Sequence, residues 1–348
     1  MHQTNAAPLV FSGRWSYRLQ NLADLLAQSA AVTVRRWRRG PRRPSWSWAL
    51  ESSTAVLRAQ MAAGFHLAAR TGAPTAGREY VDALCFASPA VPQVTIEPAA
   101  GPIKGHWYTP RAGAGPWTVL YLHGGGYYYY AKAHENLIAL MALAAEARTF
   151  ALDYRLIPEH PFPAQLEDAL AAYRWLLDQG VEARRLVVAG DSAGGNLALA
   201  LLQVLRREGL PQPALGYGLC PWTDVENTGA SLQSNADADS LQPYMAATWA
   251  RQLCAGGADP RDPLVSPVHA DLRGLAPIYL QAGGAEVLLD MIRAFAAHAA
   301  AQGADVTLDV WDEMPHDFQA YGESLPQARA AWQHFRQQLS KRAASAGL

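Results

Sequence analysis

The stretch Gly190-Asp191-Ser192-Ala193-Gly194 predicts a nucleophilic serine. An apolar, strand-like segment (186–189) precedes it, and a segment with helical apolar spacing (196–202) follows it. This is the G-x-S-x-G pattern of a nucleophile elbow, a sharp strand-to-helix turn that exposes the hydroxyl. The glycines leave room where a Cβ would clash, and the start of the helix offers free N–H groups to a developing negative charge. We expect Ser192 to attack an acyl carbonyl.

A serine hydroxyl is a poor nucleophile until a base and an orienting acid activate it. In folds with this elbow, the acid and then the histidine follow the serine in the chain. His316 fits the base, because it lies in a short loop after the last predicted strand. Glu286 fits the acid at a strand-to-helix junction, and Asp290 is the alternative, whose other role is to complement the positive helix end. The remaining downstream histidines precede a strand or lie in predicted helices: His269, His298 and His334.

Three glycines follow a predicted buried strand directly, in His123-Gly124-Gly125-Gly126. Such a run lets the backbone pass close to a bound ester and direct N–H groups at its carbonyl oxygen. Together with the N–H of Ala193, the residue after the nucleophile, it predicts an oxyanion hole formed by Gly124, Gly125, Gly126 and Ala193. We expect His123 to brace this loop by a hydrogen bond rather than to act as a base. A merely flexible loop is the alternative.

Four tyrosines, 127–130, come directly after these glycines. They are predicted either to line an acyl or alcohol pocket or to pack beneath a lid, and the sequence does not favour one role over the other. The candidate substrate-pocket residues are therefore Tyr127, Tyr128, Asp191 and Trp222.

Composition narrows the class of protein. The chain has 348 residues, 50% of them hydrophobic, and a formal net charge of −1, so it can bury a large core and gives no reason to expect nucleic acid as a partner. Three cysteines without a C-x-x-C pair argue against disulfides and a zinc site. Neither dinucleotide-binding nor P-loop glycine patterns occur, so we expect no cofactor and no metal. Without a signal-like start or an apolar run of about 20 residues, the expectation is a soluble cytoplasmic protein.

Strands and helices alternate through most of the chain, which predicts an α/β fold with a mostly parallel sheet covered by helices on both faces. Residues 1–75 are predicted to form an N-terminal helical cap segment, with a linker near 71–76, and residues 76–348 the catalytic domain. The polar stretch 223–274 interrupts the alternation at the edge where an active-site lid would lie. The predicted strands are 91–96 and 102–108, paired as a hairpin, then 117–122, 149–153, 185–189, 214–219, 278–281 and 306–311.

The N-terminal segment contains an arginine-rich run, 35–44, followed by Trp46 and Trp48. Basic residues interleaved with tryptophans are typical of a patch that contacts a membrane surface. The favoured interpretation is instead a solvated connector between two cap helices, because Gly40, Pro41 and Pro44 break any continuous amphipathic face.

Several long motifs resemble the hormone-sensitive-lipase-like branch of the α/β-hydrolases, of the bacterial carboxylesterase type. The resemblance implies an α/β-hydrolase core with a helical cap built from the N-terminal segment and the 223–274 insertion. It also implies carboxylesterase activity on short-to-medium-chain acyl esters, without a cofactor. The acid position of this branch is more often an Asp in an Asp-Pro-Leu motif, where this chain has Glu286-Val287-Leu288. The motifs that carry the resemblance are 123–126, 153–164, 190–196, 221–224 and 314–316.

Two other functions remain open on the sequence. One is a deacetylase acting on a bulky acetylated alcohol such as a sterol or sugar, suggested by the Arg/Trp-rich N-terminus and the tyrosine run. The other is a non-catalytic ligand receptor on the same fold, which the intact serine, histidine and carboxylate set argues against. The expected partner is a small-molecule ester, and the chain is expected to be a monomer or homodimer.

Overall fold

The computed structural model describes residues 9–346, so the predictions that concern residues 1–8 and 347–348 lie outside the described part. An eight-stranded sheet forms its centre, in the order β10-β9-β8-β7-β5-β6-β4-β3. Six of its strands, β5 to β10, run parallel, and β4 pairs antiparallel with both β3 and β6. The strands are β3 (Val94–Pro98), β4 (Gly105–Pro110), β5 (Thr118–Leu122), β6 (Arg148–Leu152), β7 (Leu186–Asp191), β8 (Leu215–Leu219), β9 (Ile278–Gly283) and β10 (Val306–Trp311).

The predicted α/β architecture with a mostly parallel sheet is confirmed, including the hairpin of β3 and β4. Alternate side chains of β5 explain why its sequence is continuously apolar: Leu120 and Leu122 pack into the core on one face, and Val119 and Tyr121 into the core on the other. Helices cover both faces, so every strand position near the centre is buried. The main helices of the core are α4 (His134–Ala145), α5 (Ala164–Asp178), α6 (Ser192–Arg207), α9 (Leu289–Ala301) and α10 (Pro326–Ala346).

The strand register places the functional loops at one edge of the sheet. Leu122 pairs with Gly190, Asp191 with Leu219, and Gly283 with Trp311. The glycine loop, the elbow and the loops that carry Glu286 and His316 therefore all leave the sheet at its carboxyl edge, where ligands bind in open α/β sheets.

Three helices precede the sheet: α1 (Trp15–Arg39), α2 (Trp48–Thr71) and α3 (Pro74–Asp82). The predicted linker at 71–76 is wrong except at residues 72 and 73. Helix α2 includes Thr71, and Pro74 occupies the first turn of α3, where its missing N–H costs nothing. The short strands β1 (Leu9–Phe11) and β2 (Leu84–Phe86), which the sequence did not predict, pair antiparallel.

Residues of α2 contact the 223–274 insertion, which carries α7 (Ser231–Ser234) and α8 (Pro243–Leu253). Nε of Arg58 donates to the Asp239 carbonyl at 2.7 Å, and the ring of Phe65 lies 5.4 Å from that of Tyr244. The segment between α1 and α2 (40–47) also contacts the His316 loop, since Trp46 Nε1 donates to the Glu313 carbonyl at 2.5 Å. These contacts support the proposal that the N-terminal helices and the insertion form one cap.

Candidate active site

Ser192 stands at the sharp turn between β7 and α6. Its φ of +51° lies in the left-handed region, an unfavourable conformation for a residue with a Cβ and one typical of a nucleophile elbow. Crowding explains the flanking glycines, because a Cβ on Gly194 would collide with the Leu122 carbonyl oxygen and one on Gly190 with the Gly194 carbonyl. The first amides of α6, that of Ala193 among them, have no helical acceptor and are available to an anion.

Asp191, which we predicted to line a substrate pocket, is instead buried and braces the backbone. Its Oδ1 accepts hydrogen bonds from the Tyr121 hydroxyl at 2.6 Å and from the N–H of Gly124 at 2.9 Å. The N–H of Gly124 is therefore engaged, which argues against the predicted oxyanion role of this residue. The sequence could not show this contact, because it joins residues that are 67 positions apart.

Hydrogen bonds fix the orientation of the next two peptide groups in the glycine loop. Nδ1 of His123 lies 2.8 Å from the Gly124 carbonyl oxygen, and the Gly125 carbonyl accepts from the N–H groups of Tyr128 and Tyr129 at 3.0 and 2.9 Å. In a trans peptide the N–H points opposite to the carbonyl of the preceding residue. The N–H groups of Gly125 and Gly126 consequently point away from these bracing contacts and remain available as donors.

His123 has the surroundings of a bracing residue, as the sequence predicted. The side chain is fully buried, and its ring stacks between Tyr130 at 3.8 Å and Tyr154 at 4.1 Å between centroids. Burial lowers the pKa of His123 well below its ordinary value. The neutral ring can then hold its proton on Nδ1 and donate it to the Gly124 carbonyl.

Glu286 and His316 are brought together. Nδ1 of His316 lies 2.7 Å from Oε2 of Glu286, and the other oxygen of this fully buried carboxylate accepts the N–H of Gly283 at 3.1 Å. Both carboxylate oxygens are thus fixed, and the ring is held with Nε2 free for other contacts. This is the arrangement in which a carboxylate orients an imidazole and stabilises its protonated form.

Nε2 of His316 lies 3.4 Å from Oδ2 of Asp317, and the Cys220 thiol belongs to the same cluster, with ligand atoms within 4.8 Å of one another. Burial alone would lower the pKa of His316, but the Asp317 carboxylate, the Cys220 thiol and the Glu286 carboxylate together outweigh it and raise that pKa well above its ordinary value. Among residues 9–346 the Ser192 hydroxyl forms no hydrogen bond, so His316 and Ser192 are not joined directly in this arrangement. The loop after β8 contacts both residues. Cys220 lies in the His316 cluster, and the N–H of Trp222 donates to the Ser192 carbonyl at 2.9 Å.

Asp290, the alternative acid, contacts Ser231 of the insertion and not His316. Its Oδ2 accepts the N–H of Ser231 at 2.8 Å, and its own N–H donates to the Ser231 hydroxyl at 3.0 Å, so it ties α9 to the insertion. A neighbouring contact supports the Glu286 loop, because Oδ2 of the buried Asp239 accepts the N–H of Val287 at 2.7 Å. Burial raises the pKa of Asp239 to about 6.

The remaining candidate pocket residues make packing contacts. Tyr127 is buried, and its hydroxyl donates to Oδ1 of Asn196 at 2.7 Å. The Tyr128 ring lies against Trp249 of α8, and Nε1 of Trp222 donates to Oδ1 of Asn227 at 2.9 Å. These contacts favour the packing role that the sequence left open for the tyrosines.

Sequence reasoning missed Asp317, Cys220 and Asp239. An acidic residue next to the predicted base was the available signal for Asp317, and the position directly after β8 was the signal for Cys220. Nothing local marks Asp239, since its contact with Val287 joins residues 48 positions apart.

Two groups of side chains in the described part of the chain have the types found in metal sites. One is Cys220, His316 and Asp317, which belongs to the site above. The other is Asp224, Glu226 and His269, where both oxygens of Asp224 already accept backbone N–H groups, from Glu226 at 2.9 Å and Thr228 at 3.3 Å. The Asp224 carboxylate therefore stabilises the turn that follows it.

Comparisons with known proteins agree with this architecture. The model of an α/β-hydrolase fold family matches residues 119–320. An acetyl-hydrolase of Streptomyces hygroscopicus is 42% identical over 66% of this chain and 77% of its own length. An esterase of Acinetobacter venetianus is 32% identical over 74% of this chain and 86% of its own.

Among solved structures, an esterase from the bacterial hormone-sensitive lipase family superposes with a TM-score of 0.70 at 31% identity, covering 95% of this chain and 99% of the other. The elbow, the glycine loop and the histidine–glutamate pair thus lie on a fold shared with that enzyme over nearly its whole length. The chain belongs to the α/β-hydrolase family, in its hormone-sensitive-lipase-like branch.

Proposed function

We propose that Ser192, His316 and Glu286 form the catalytic triad of this enzyme. The chain is a carboxylic-ester hydrolase of the serine type, as its family and its esterase relatives show. The observation that carries the residue assignment is the 2.7 Å contact between Nδ1 of His316 and Oε2 of Glu286, at the sheet edge that also bears the strained Ser192.

In the proposed mechanism, Oγ of Ser192 attacks the ester carbonyl carbon while Nε2 of His316 takes the hydroxyl proton. The carbonyl oxygen becomes negatively charged and accepts hydrogen bonds from the N–H groups of Gly125, Gly126 and Ala193. When the tetrahedral intermediate collapses, the alcohol departs with the proton from Nε2 and leaves an acyl group on Ser192. Water, deprotonated by His316, then releases the acid and restores the serine.

The first step requires a change in the contacts of the His316 ring. Nε2 faces Oδ2 of Asp317 at 3.4 Å in this structure, whereas proton transfer needs it within hydrogen-bond reach of the Ser192 hydroxyl. Catalytic hydrogen bonds are often long before substrate binds and tighten in the complex. We infer that ester binding exchanges the Asp317 contact for the Ser192 contact.

The proposed substrates are short-to-medium-chain acyl esters. A second candidate is a deacetylase of bulky acetylated alcohols, which the 42% identical acetyl-hydrolase supports. Comparing kcat/KM for acetyl, butyryl and octanoyl esters with that for acetylated sterols and sugars separates the two. We further propose a cytoplasmic location, to which the three free cysteines lend support, and a monomer or homodimer.

The direct test is Ser192→Ala assayed with p-nitrophenyl butyrate. We expect kcat to fall by on the order of 10⁶-fold, as when the nucleophile of a comparable triad is removed. Ser234→Ala, an exposed serine of α7, is the matched control and should keep the parent activity. Equal hydrolysis by the parent and Ser192→Ala would refute the assignment.

A further inference from the structure

Helix α1 exposes an apolar stripe along its whole length. Trp37, Trp15 and Leu26 are 83%, 70% and 63% exposed, although large apolar side chains are usually covered. Successive members of the stripe lie three or four residues apart, so they share one face of the helix. The exposed apolar residues of this face are Trp15, Leu19, Ala23, Leu26, Ala30, Val34 and Trp37.

The residues that we expected to break a continuous amphipathic face do not lie within α1. Gly40, Pro41 and Pro44 lie beyond the last residue of α1, Arg39, and therefore do not interrupt it. The 25 residues of the helix extend for about 37 Å. The opposite face makes the contacts with the rest of the protein, through residues such as the buried Asn21 and Val32.

Helix α1 carries five arginines and one aspartate, and two of the arginines, Arg35 and Arg36, pair with the buried Glu51. Asp24 accepts the Tyr80 hydroxyl at 2.9 Å. Beside Trp37, the exposed Arg38 and Arg39 form no ion pair with any described residue. Arginines next to exposed tryptophans complement a surface that is anionic outside and apolar beneath, which is the chemistry of a lipid headgroup layer.

We propose that α1 docks this enzyme on an anionic membrane surface, lying in the plane of the headgroups with Trp15 and Trp37 in the interface. Tryptophan suits this position because its ring is apolar and its N–H is polar. The helix lies on the membrane rather than through it, since no helix in the 9–346 range combines the length and apolarity needed to cross one. The docking does not depend on Ser192 and goes beyond ester hydrolysis.

Charge also argues against a second copy of the chain as the occupant. Positive residues flank the stripe near both ends, with Arg18 near the start and Arg38 at the end. Two such helices packed face to face would bring arginines against arginines in either direction, which is unfavourable.

The test is co-sedimentation of the full chain with vesicles of equal parts phosphatidylglycerol and phosphatidylcholine, and with phosphatidylcholine alone. We expect binding to the anionic vesicles that weakens with added salt, because screening removes the electrostatic part. The triple variant Trp15→Ser, Leu26→Ser, Trp37→Ser should bind at least about tenfold more weakly, because it removes three apolar groups from the interface. Gln20→Ser with Thr33→Ser, exposed polar positions of the same helix, is the matched control and should bind like the parent.

The triple variant should hydrolyse p-nitrophenyl butyrate as fast as the parent, and equal rates would show that the variant folds. If the triple variant misfolds, the single Trp37→Ser substitution, at the most exposed position, replaces it. Undiminished vesicle binding by the folded stripe variant would overturn the proposal. Absence of vesicle binding, together with a dimer in sedimentation velocity that the stripe variant dissociates, would overturn it in favour of a second copy.

Discussion

Nδ1 of His316 lies 2.7 Å from Oε2 of Glu286, although 30 residues separate them in the chain. The loop after β9 carries the carboxylate, the loop after β10 carries the imidazole, and these two strands are neighbours in the sheet. The pair is therefore a direct consequence of strand order, and the first prediction tests its chemical role.

Glu286→Gln should lower kcat by about 10³–10⁴-fold while leaving KM nearly unchanged. The amide fills the same space, but it can neither favour the correct tautomer nor stabilise the protonated ring. Asp290→Asn is the comparison, because Asp290 contacts Ser231 and not His316. Steady-state kinetics that show the large loss in Asp290→Asn, with Glu286→Gln active, would reassign the acid.

The pH dependence of kcat/KM should respond to Asp317. Burial lowers the pKa of His316, but Asp317, Cys220 and Glu286 together raise it well above its ordinary value. The ring therefore loses its proton and becomes available as a base only at a pH above the ordinary pKa of histidine. Asp317→Asn removes one negative charge, so the pKa should fall and the acidic limb of the profile should move to lower pH. Asp312→Asn, an exposed carboxylate in the same loop, is the control. An acidic limb that stays in place, or moves to higher pH, would show that Asp317 does not act on His316.

Gly125→Ala should lower kcat by about 10²–10³-fold, the loss expected when one oxyanion donor is displaced. The residue has a φ of +94°, and a Cβ there would collide with the Tyr129 carbonyl oxygen, so the donor peptide must shift. Gly180→Ala carries a similar backbone cost at φ +84° but meets nothing within 4 Å. It should lose only about 1 kcal/mol of stability and no activity. Comparable kinetics for the two variants would argue against an oxyanion role for this loop.

Tyr127→Phe should lower the free energy of unfolding by about 1–3 kcal/mol, because it leaves the buried Oδ1 of Asn196 without its donor. Asn196 also donates to the carbonyls of Trp222 and Val265, so this amide joins α6 to the insertion. Urea unfolding is the measurement, and Tyr244→Phe, at a 40% exposed position, is the comparison. Equal stability of the two variants would mean that the Tyr127 hydrogen bond contributes little.

The elements that the sequence predicted well are those with local signals. The elbow and the glycine run each follow a continuous apolar strand, and the loop of His316 follows the last predicted strand, so their place at the carboxyl edge could be inferred before the fold was known. Glu286 could be preferred to Asp290 for the same reason, since it comes directly after β9.

The elements that were missed depend on contacts between distant residues. The Asp191 carboxylate takes the N–H of Gly124, a contact with no local sequence signature. Strands β1 and β2 have three residues each and gain their backbone partners only when the chain folds. The end of α1 at Arg39, before Gly40, Pro41 and Pro44, was likewise not marked in the sequence.

Covalent labelling tests the central claim most directly. The parent enzyme, treated with a fluorophosphonate and digested, should carry a single adduct, on the peptide containing Ser192, and Ser192→Ala should carry none. Slower labelling of Glu286→Gln is expected as well, because His316 then activates the hydroxyl less effectively. An adduct on another residue, or no adduct on an enzyme that still hydrolyses p-nitrophenyl butyrate, would contradict the account.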